Sequence, residues 1–171
     1  ADLMAQEYGR YFNMPVASFR GGCLTGPQHS GVELHGFLSY LVKVAVTGRH
    51  YTIFGYKGKQ VRDQIHSEDV IKAFEVYIEN PKSNGAVYNL GGGKVNSASV
   101  LECIDLIKDI SGYEVNYTLS DENRIGDHIC YYSDLTRLKT DYPNWDIRIS
   151  LRDIVTEMIN AEVARSKSTS N

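Results

Sequence analysis

The stretch Tyr51-Thr52-Ile53-Phe54-Gly55-Tyr56-Lys57-Gly58-Lys59-Gln60-Val61-Arg62-Asp63-Gln64-Ile65-His66-Ser67-Glu68-Asp69-Val70 decides the fold. Its β-branched and aromatic run at 51–54 predicts a strand, the glycine-bearing 55–60 a turn, and 61–66 a second short strand. Ser67 is placed to cap a helix, with Glu68 and Asp69 in the first turn, where the helix dipole favours acids. That helix carries Ile71, Ala73, Phe74 and Tyr77 and stops before Pro81. A strand that feeds directly into an amphipathic helix is the repeating unit of an α/β fold.

The pattern extends in both directions. Upstream, residues 35–48 place Phe37, Leu38, Leu41, Val42, Ala45 and Val46 at helical spacing, with Gly48 as the stop. Residues 15–20 read as a short buried strand entering a loop that holds Gly21, Gly22, Gly26 and Pro27. Residues 1–13 are helical by the spacing of Leu3, Met4, Tyr8, Tyr11 and Phe12, with Asp2 as the one candidate cap, so the helix reads as cut rather than begun. Downstream, 86–90 is a strand ending in Gly91-Gly92-Gly93. Ser97 or Ser99 caps a helix bearing Val100, Leu101, Ile104, Ile107 and Ile110 that ends at Gly112. Residues 114–119 alternate as a strand, a loop with Arg124, Gly126 and Asp127 follows, and helices start at Asp134 and span 150–164. The polar run 165–171 is expected to be a disordered tail.

A chain of 171 residues fits one domain, or one domain plus the remnant of a neighbour. With 42% hydrophobic and 23% charged residues it can bury a core without disulfide or metal support. Its 18 basic and 21 acidic residues leave a net charge of 18 − 21 = −3, so no global field draws nucleic acid or an anionic membrane. An anionic ligand must then be held by local arginines. Cys23, Cys103 and Cys130 are odd in number and far apart, which argues against a disulfide framework or a zinc site and suits a reducing cytoplasm. No apolar run approaches the ~20 residues of a membrane span, and the first residues do not resemble a signal peptide. The expectation is a soluble, cytosolic protein.

Arg62 and Arg124 stand in separate loop-flanked segments. A guanidinium fork matches phosphate oxygens in bidentate geometry, so the two could clamp a diphosphate; alternatively each is a surface arginine paired with a nearby Asp. Gly91-Gly92-Gly93 lacks the spacing of a nucleotide loop and reads as a strand-to-loop bend with close backbone approach. His66 reads as a hydrogen-bonding anchor rather than a general base, and Cys23 as a small packed thiol rather than a nucleophile. Glu68 with Asp69, and Asp121 with Glu122, read as solvated pairs, since adjacent side chains diverge. No nucleophile–base or metal-ligand constellation emerges. The residues alone describe a ligand-binding α/β domain with a candidate diphosphate clamp and no catalytic machinery.

Four ordered segments carry a resemblance. They are Ser18-Phe19-Arg20-Gly21-Gly22-Cys23-Leu24-Thr25-Gly26-Pro27, then Ile53-Phe54-Gly55 with Gly58-Lys59-Gln60-Val61-Arg62-Asp63 followed by His66, Asp69 and Val70, then Val87-Tyr88-Asn89-Leu90-Gly91-Gly92-Gly93, and Arg124-Ile125-Gly126-Asp127. Together they resemble the extended short-chain dehydrogenase/reductase family of NAD-dependent nucleotide-sugar epimerases and dehydratases. The resemblance implies that Arg62 and Arg124 bind the diphosphate and that Asp127 meets the ribose or lies beside the nucleotide. It implies that residues 51–54 pass the base, with Thr52 and Phe54 offering backbone hydrogen bonds, and that residues 23–34 border the sugar. Cys23 stands where many members have Asn.

The family's G-x-x-G-x-x-G fingerprint and Y-x-x-x-K catalytic pair do not occur in this sequence. The resemblance therefore implies that 1–22 end an NAD-binding Rossmann domain and that 23–164 form the nucleotide-sugar-binding α/β domain. NAD would be bound mainly by a preceding half, and this portion would carry no catalytic residue. Residues 22–36 and 55–63 are most similar to members acting at C2 of a CDP-hexose. The implied ligand is a CDP-sugar or another nucleotide-diphosphate sugar, and the full-length protein is expected to be a homo-oligomer. A UDP- or dTDP-sugar 4-epimerase or dehydratase, or a non-catalytic nucleotide-sugar-binding module, remain the alternatives.

Overall fold

Helices and strands alternate along the chain in the computed structural model, which describes residues 1–29, 36–122 and 125–169. Helix α1 (Asp2–Phe12) leads into β1 (Ala17–Gly21) and β2 (Cys23–Thr25), and α2 (Phe37–Thr47) into β3 (His50–Phe54). A single 3-10 turn (Tyr56–Gly58) precedes β4 (Val61–His66), which runs into α3 (Ser67–Glu79). Then come β5 (Ala86–Leu90), β6 (Ser97–Ser99), α4 (Val100–Ser111), β7 (Asn116–Ser120), β8 (Cys130–Tyr131), α5 (Thr136–Asp141) and α6 (Leu151–Thr169). Among the described residues no helix is long and apolar enough to cross a membrane.

Most strand pairs are parallel. β1 pairs with β5 from Ala17 opposite Ala86 to Gly21 opposite Leu90, and β3 with β7 from His50 opposite Asn116 to Phe54 opposite Ser120. β4 is shared along its length: its first half pairs with β6, antiparallel, and with β8, while its second half pairs in parallel with β2. Parallel partners need a crossover rather than a tight turn, and α2, α3 and α4 lie along those connections. The mixed α/β architecture is the one expected from the alternating pattern.

Two cores result. In one, Leu41 of α2, Ile53 of β3, Ile107 of α4 and Ile154 of α6 are fully buried together. In the other, Tyr88 and Leu90 of β5 pack with Ile65, Ala73 and Trp145. Each such side chain contributes about 1.5–3 kcal/mol by leaving water, so the apolar spacing that predicts the helices also fixes which faces meet.

The helix ends show where local chemistry decides. Ser99 caps α4 and forms a capping box: its Oγ accepts the Glu102 N–H, and Glu102 accepts the Ser99 N–H. At α3 the cap is His66, one residue before the expected Ser67. His66 is extended, and its Nδ1 accepts the Glu68 N–H at 3.2 Å. The anchor role expected of His66 is therefore seen, and its Nε2 lies 3.1 Å from Glu157 of α6.

Three expectations need correction. β2 lies where a loop is expected; three residues are too short to show a period, and pairing with β4 makes them a strand. α6 continues past Ala164 to Thr169, because Arg165 pairs with Glu162 and the Ser166 and Ser168 hydroxyls donate to the carbonyls of Val163 and Ala164. Asp69 is 1% exposed rather than solvated. Its carboxylate accepts the N–H groups of Arg148 and Ile149, and the Trp145 indole donates to its carbonyl, which ties residues 145–149 onto the first turn of α3.

Candidate functional site

β4 separates two environments by the simple alternation of strand side chains. Asp63 points away from solvent and is 0% exposed; its Oδ2 accepts the N–H of Gly93 at 3.0 Å and of Ser133 at 2.9 Å. Its neighbours Arg62 and Gln64, together with Gln60 just before the strand, line a cavity of about 480 Å³. Gly22, Cys23 and Thr25 of the β1–β2 segment and Tyr51 and Phe54 of β3 also line it.

The Asp63 anchor explains the triple glycine. A Cβ at Gly91 would overlap Asp63 and Ser133, and one at Gly92 would overlap the Gln64 carbonyl oxygen. The close backbone approach expected of this bend is what holds β4 in place. Near the cavity rim, Gly36 adopts φ +71°, and a Cβ there would lie 2.5 Å from the His29 ring, whose Nδ1 is 3.0 Å from Ser39 Oγ.

Arg62 is half-buried at the cavity wall. It forms an ion pair with Asp127, and its Nη1 donates to the Val61 carbonyl at 2.6 Å. Asp127 Oδ1 also accepts the N–H of His128, and the Tyr56 hydroxyl donates to the Asp127 carbonyl at 3.3 Å. A guanidinium carries five N–H donors in a fixed fork, so this pairing orients Arg62 while leaving donors toward the cavity.

The residues expected at the site distribute unevenly. Arg62, Asp127, Cys23 and Phe54 all line the same cavity. Thr52 is not among the lining residues; it stands opposite Thr118 on β7, and Tyr51 lines the wall in its place. Arg124 lies outside the described residues. Cys23 is a thiol at neutral pH: burial raises its pKa, with the nearby Asp63 carboxylate as the second cause. Among the described residues no group of three His, Cys, Asp or Glu could hold a metal ion.

Gln64 was not singled out from the sequence, and Gln60 and Tyr51 entered only as members of the quoted segments, without a role of their own. The signal for the glutamines was present as a period of two, Gln60–Arg62–Gln64, running into the strand expected over 61–66. Polar residues repeating on one face of such a strand point to a lined cavity rather than to core. The arrangement, a cation flanked by amides in a cavity that aromatic residues also line, is suited to holding a phosphorylated ligand that also carries a ring.

Comparison with known proteins agrees with that chemistry. Residues 1–91 match the family described as NAD dependent epimerase/dehydratase. The chain is 29% identical over 164 residues to the CDP-paratose 2-epimerase of Salmonella typhi, covering 92% of this chain and 48% of that protein. It is 32% identical over 160 residues to the UDP-glucose 4-epimerase of Neisseria gonorrhoeae, covering 86% and 44%. Among solved structures, a UDP-glucuronic acid 4-epimerase from Bacillus cereus, in complex with UDP-glucuronic acid and NAD, shares the fold with a TM-score of 0.80 at 24% identity over 96% of this chain and 50% of that one. The chain spans about half the length of these relatives. With the family's model covering more than half of its residues, the chain belongs to the NAD dependent epimerase/dehydratase family.

Proposed function

We propose that this chain is the nucleotide-sugar-binding portion of an NAD-dependent sugar epimerase, acting at C2 of a CDP-hexose and converting CDP-paratose to CDP-tyvelose. The observation that carries this reading is the presence of Arg62 in one 480 Å³ cavity with Asp127, Cys23 and the aromatic pair Tyr51 and Phe54. The guanidinium suits a diphosphate, the rings suit a flat base, and the small residues at the Cys23 end leave room for a sugar to turn. Arg124 would join Arg62 on the diphosphate, and Asp127 would hold Arg62 in orientation beside the nucleotide. The similarity to a CDP-paratose 2-epimerase supports the choice of base and carbon.

In the reaction, C2 is oxidised to a ketone, the keto sugar turns, and C2 is reduced from the other face. NAD, when bound, would take up the hydride and return it. No dinucleotide fingerprint occurs in these residues, so the division proposed is that 1–22 end a cofactor domain and 23–164 bind the nucleotide sugar. This chain's residues hold the diphosphate through the turn, spending the binding energy of the remote nucleotide on orientation. In this reading the chain alone turns over nothing, the protein works in the cytoplasm, and the intact protein is a homo-oligomer.

A second reading, a UDP-sugar 4-epimerase, is supported by the comparable identity to the Neisseria gonorrhoeae enzyme. Incubating the intact protein with NAD⁺ and either CDP-paratose or UDP-glucose, and following the products by NMR, separates the two. Inversion at C2 of the CDP-sugar is expected. Inversion at C4 of the UDP-sugar alone would select the second reading, and no reaction with either would refute both.

A further inference from the structure

Gln64 is 1% exposed and lines the cavity, and no nitrogen or oxygen among the described residues pairs with Oε1 or Nε2 of its amide; the Cys23 thiol beside it is a weak partner. A buried donor and a buried acceptor left unpaired on one side chain work against folding. An apolar residue would suit the middle of this strand better. A thiol bonds only weakly, so the fold leaves the amide short of partners.

Its surroundings say what would satisfy it. Asp63 and Ile65 occupy the other face of β4, so Gln64 shares its face with Arg62, one pleat repeat or about 6.6 Å along the strand. Gln60 shares that face too, and its Oε1 is likewise buried without a partner while its Nε2 donates to the Phe54 carbonyl. Gln60 is tied to Phe54, which also lines the cavity, so this end of the stripe has an aromatic residue beside it. The Gln64 end is opposite Cys23 in register and close to Gly22. A flat base belongs at the aromatic end, which leaves the glycosyl group at the Gln64 end. A phosphate oxygen could accept from Nε2 but has no proton for Oε1. A sugar hydroxyl both donates and accepts, which matches the two ends of an amide.

We propose that Gln64 is the sugar-reading residue of this site: its amide exchanges hydrogen bonds with hydroxyls of the glycosyl group whose diphosphate Arg62 holds. The proposal rests on the nucleotide-sugar reading above and adds a specificity-determining residue to it. Once the partner hydroxyls are gone, the buried amide is stranded again, so a sugar lacking them is rejected more strongly than the loss of contact area alone would give.

The test titrates the intact protein with CDP and CDP-glucose, and with UDP and UDP-glucose, as wild type, Gln64→Met, Gln64→Glu and Arg62→Ala. Gln64→Met keeps the unbranched shape without the amide, and Gln64→Glu keeps the shape but loses the donor. Gln64→Met is expected to bind the nucleoside diphosphate as wild type does and the nucleotide sugar at least about 10-fold more weakly, while the carboxylate of Gln64→Glu, close to the anionic diphosphate, is expected to weaken both, the nucleotide sugar more. Unliganded Gln64→Met is expected to melt at or above the wild-type temperature, as befits a residue kept for a ligand rather than for the fold. Equal loss of both ligands, or a lower melting temperature, would make Gln64 structural and overturn the proposal. Unchanged sugar affinity would also overturn it, leaving the function of the site intact. A wild-type protein that binds neither ligand would remove the nucleotide-sugar reading and this proposal with it.

Discussion

Asp63 offers the sharpest test of how the cavity is held. Replacing it with Ala removes the acceptor of two buried N–H groups, those of Gly93 and Ser133, at 3.0 and 2.9 Å. Each stranded donor costs about 1–3 kcal/mol, so the pair costs roughly 2–6. Part of this is offset, because Asp63 Oδ1 is itself buried without a partner and the Ala variant no longer desolvates a carboxylate. A net loss of about 3 kcal/mol is expected, and for a domain of this size that lowers the melting temperature by roughly 6–12 °C. Asp63→Asn can place its amide oxygen at the Oδ2 position and forfeits mainly the charge assistance, so about 1 kcal/mol is expected. Urea denaturation with the slope compared between variants gives both numbers. An Ala variant as stable as wild type, or an Asn variant less stable than the Ala one, would refute the anchoring argument.

Other consequences follow from the same geometry. Gly92→Ala forces a methyl into the Gln64 backbone carbonyl, and a loss of at least about 2 kcal/mol is expected by calorimetric melting; a neutral result would mean that β4 can move. The Ser99–Glu102 capping box holds the Glu102 carboxyl below its ordinary value of 4.5, chiefly through the Ser99 backbone N–H and then its hydroxyl. Because the folded value is depressed, that stabilisation is complete above the unfolded value and is lost as pH falls through the folded one. The stability difference between wild type and Glu102→Gln should therefore be constant near pH 7 and shrink as the pH falls below the ordinary carboxyl value of 4.5. A difference independent of pH would contradict the box. Ser99→Ala is expected to cost about 1 kcal/mol at neutral pH by the same denaturation assay.

The strand–helix unit from β4 into α3 was legible because its turn glycines, strand residues and acidic first turn all agree. The capping residue was not, because Ser67 is the better cap by type and only the extended backbone at His66 hands the role to the imidazole. Asp69 looked like a surface acid because the groups that bury it, Arg148 and Ile149, are 79 and 80 residues away. The same distance problem hid the pairing of Arg62 with Asp127 across 65 residues. Resemblance placed both beside a ligand without saying that they touch. The glutamine stripe escaped notice for another reason: which face of β4 opens to the cavity is set by Asp63's anchorage to Gly93 and Ser133, and a strand's own sequence does not name its faces.

In the proposed reading, this cavity holds a nucleotide diphosphate through Arg62. Calorimetric titration of the protein with CDP, UDP and dTDP, beside an Arg62→Ala control, tests it directly. Charge-assisted bonds to a phosphate contribute about 1.5–3 kcal/mol each, so the account predicts binding that prefers CDP and weakens at least about 100-fold in the control. Equal affinity of wild type and Arg62→Ala for all three nucleotides would contradict it.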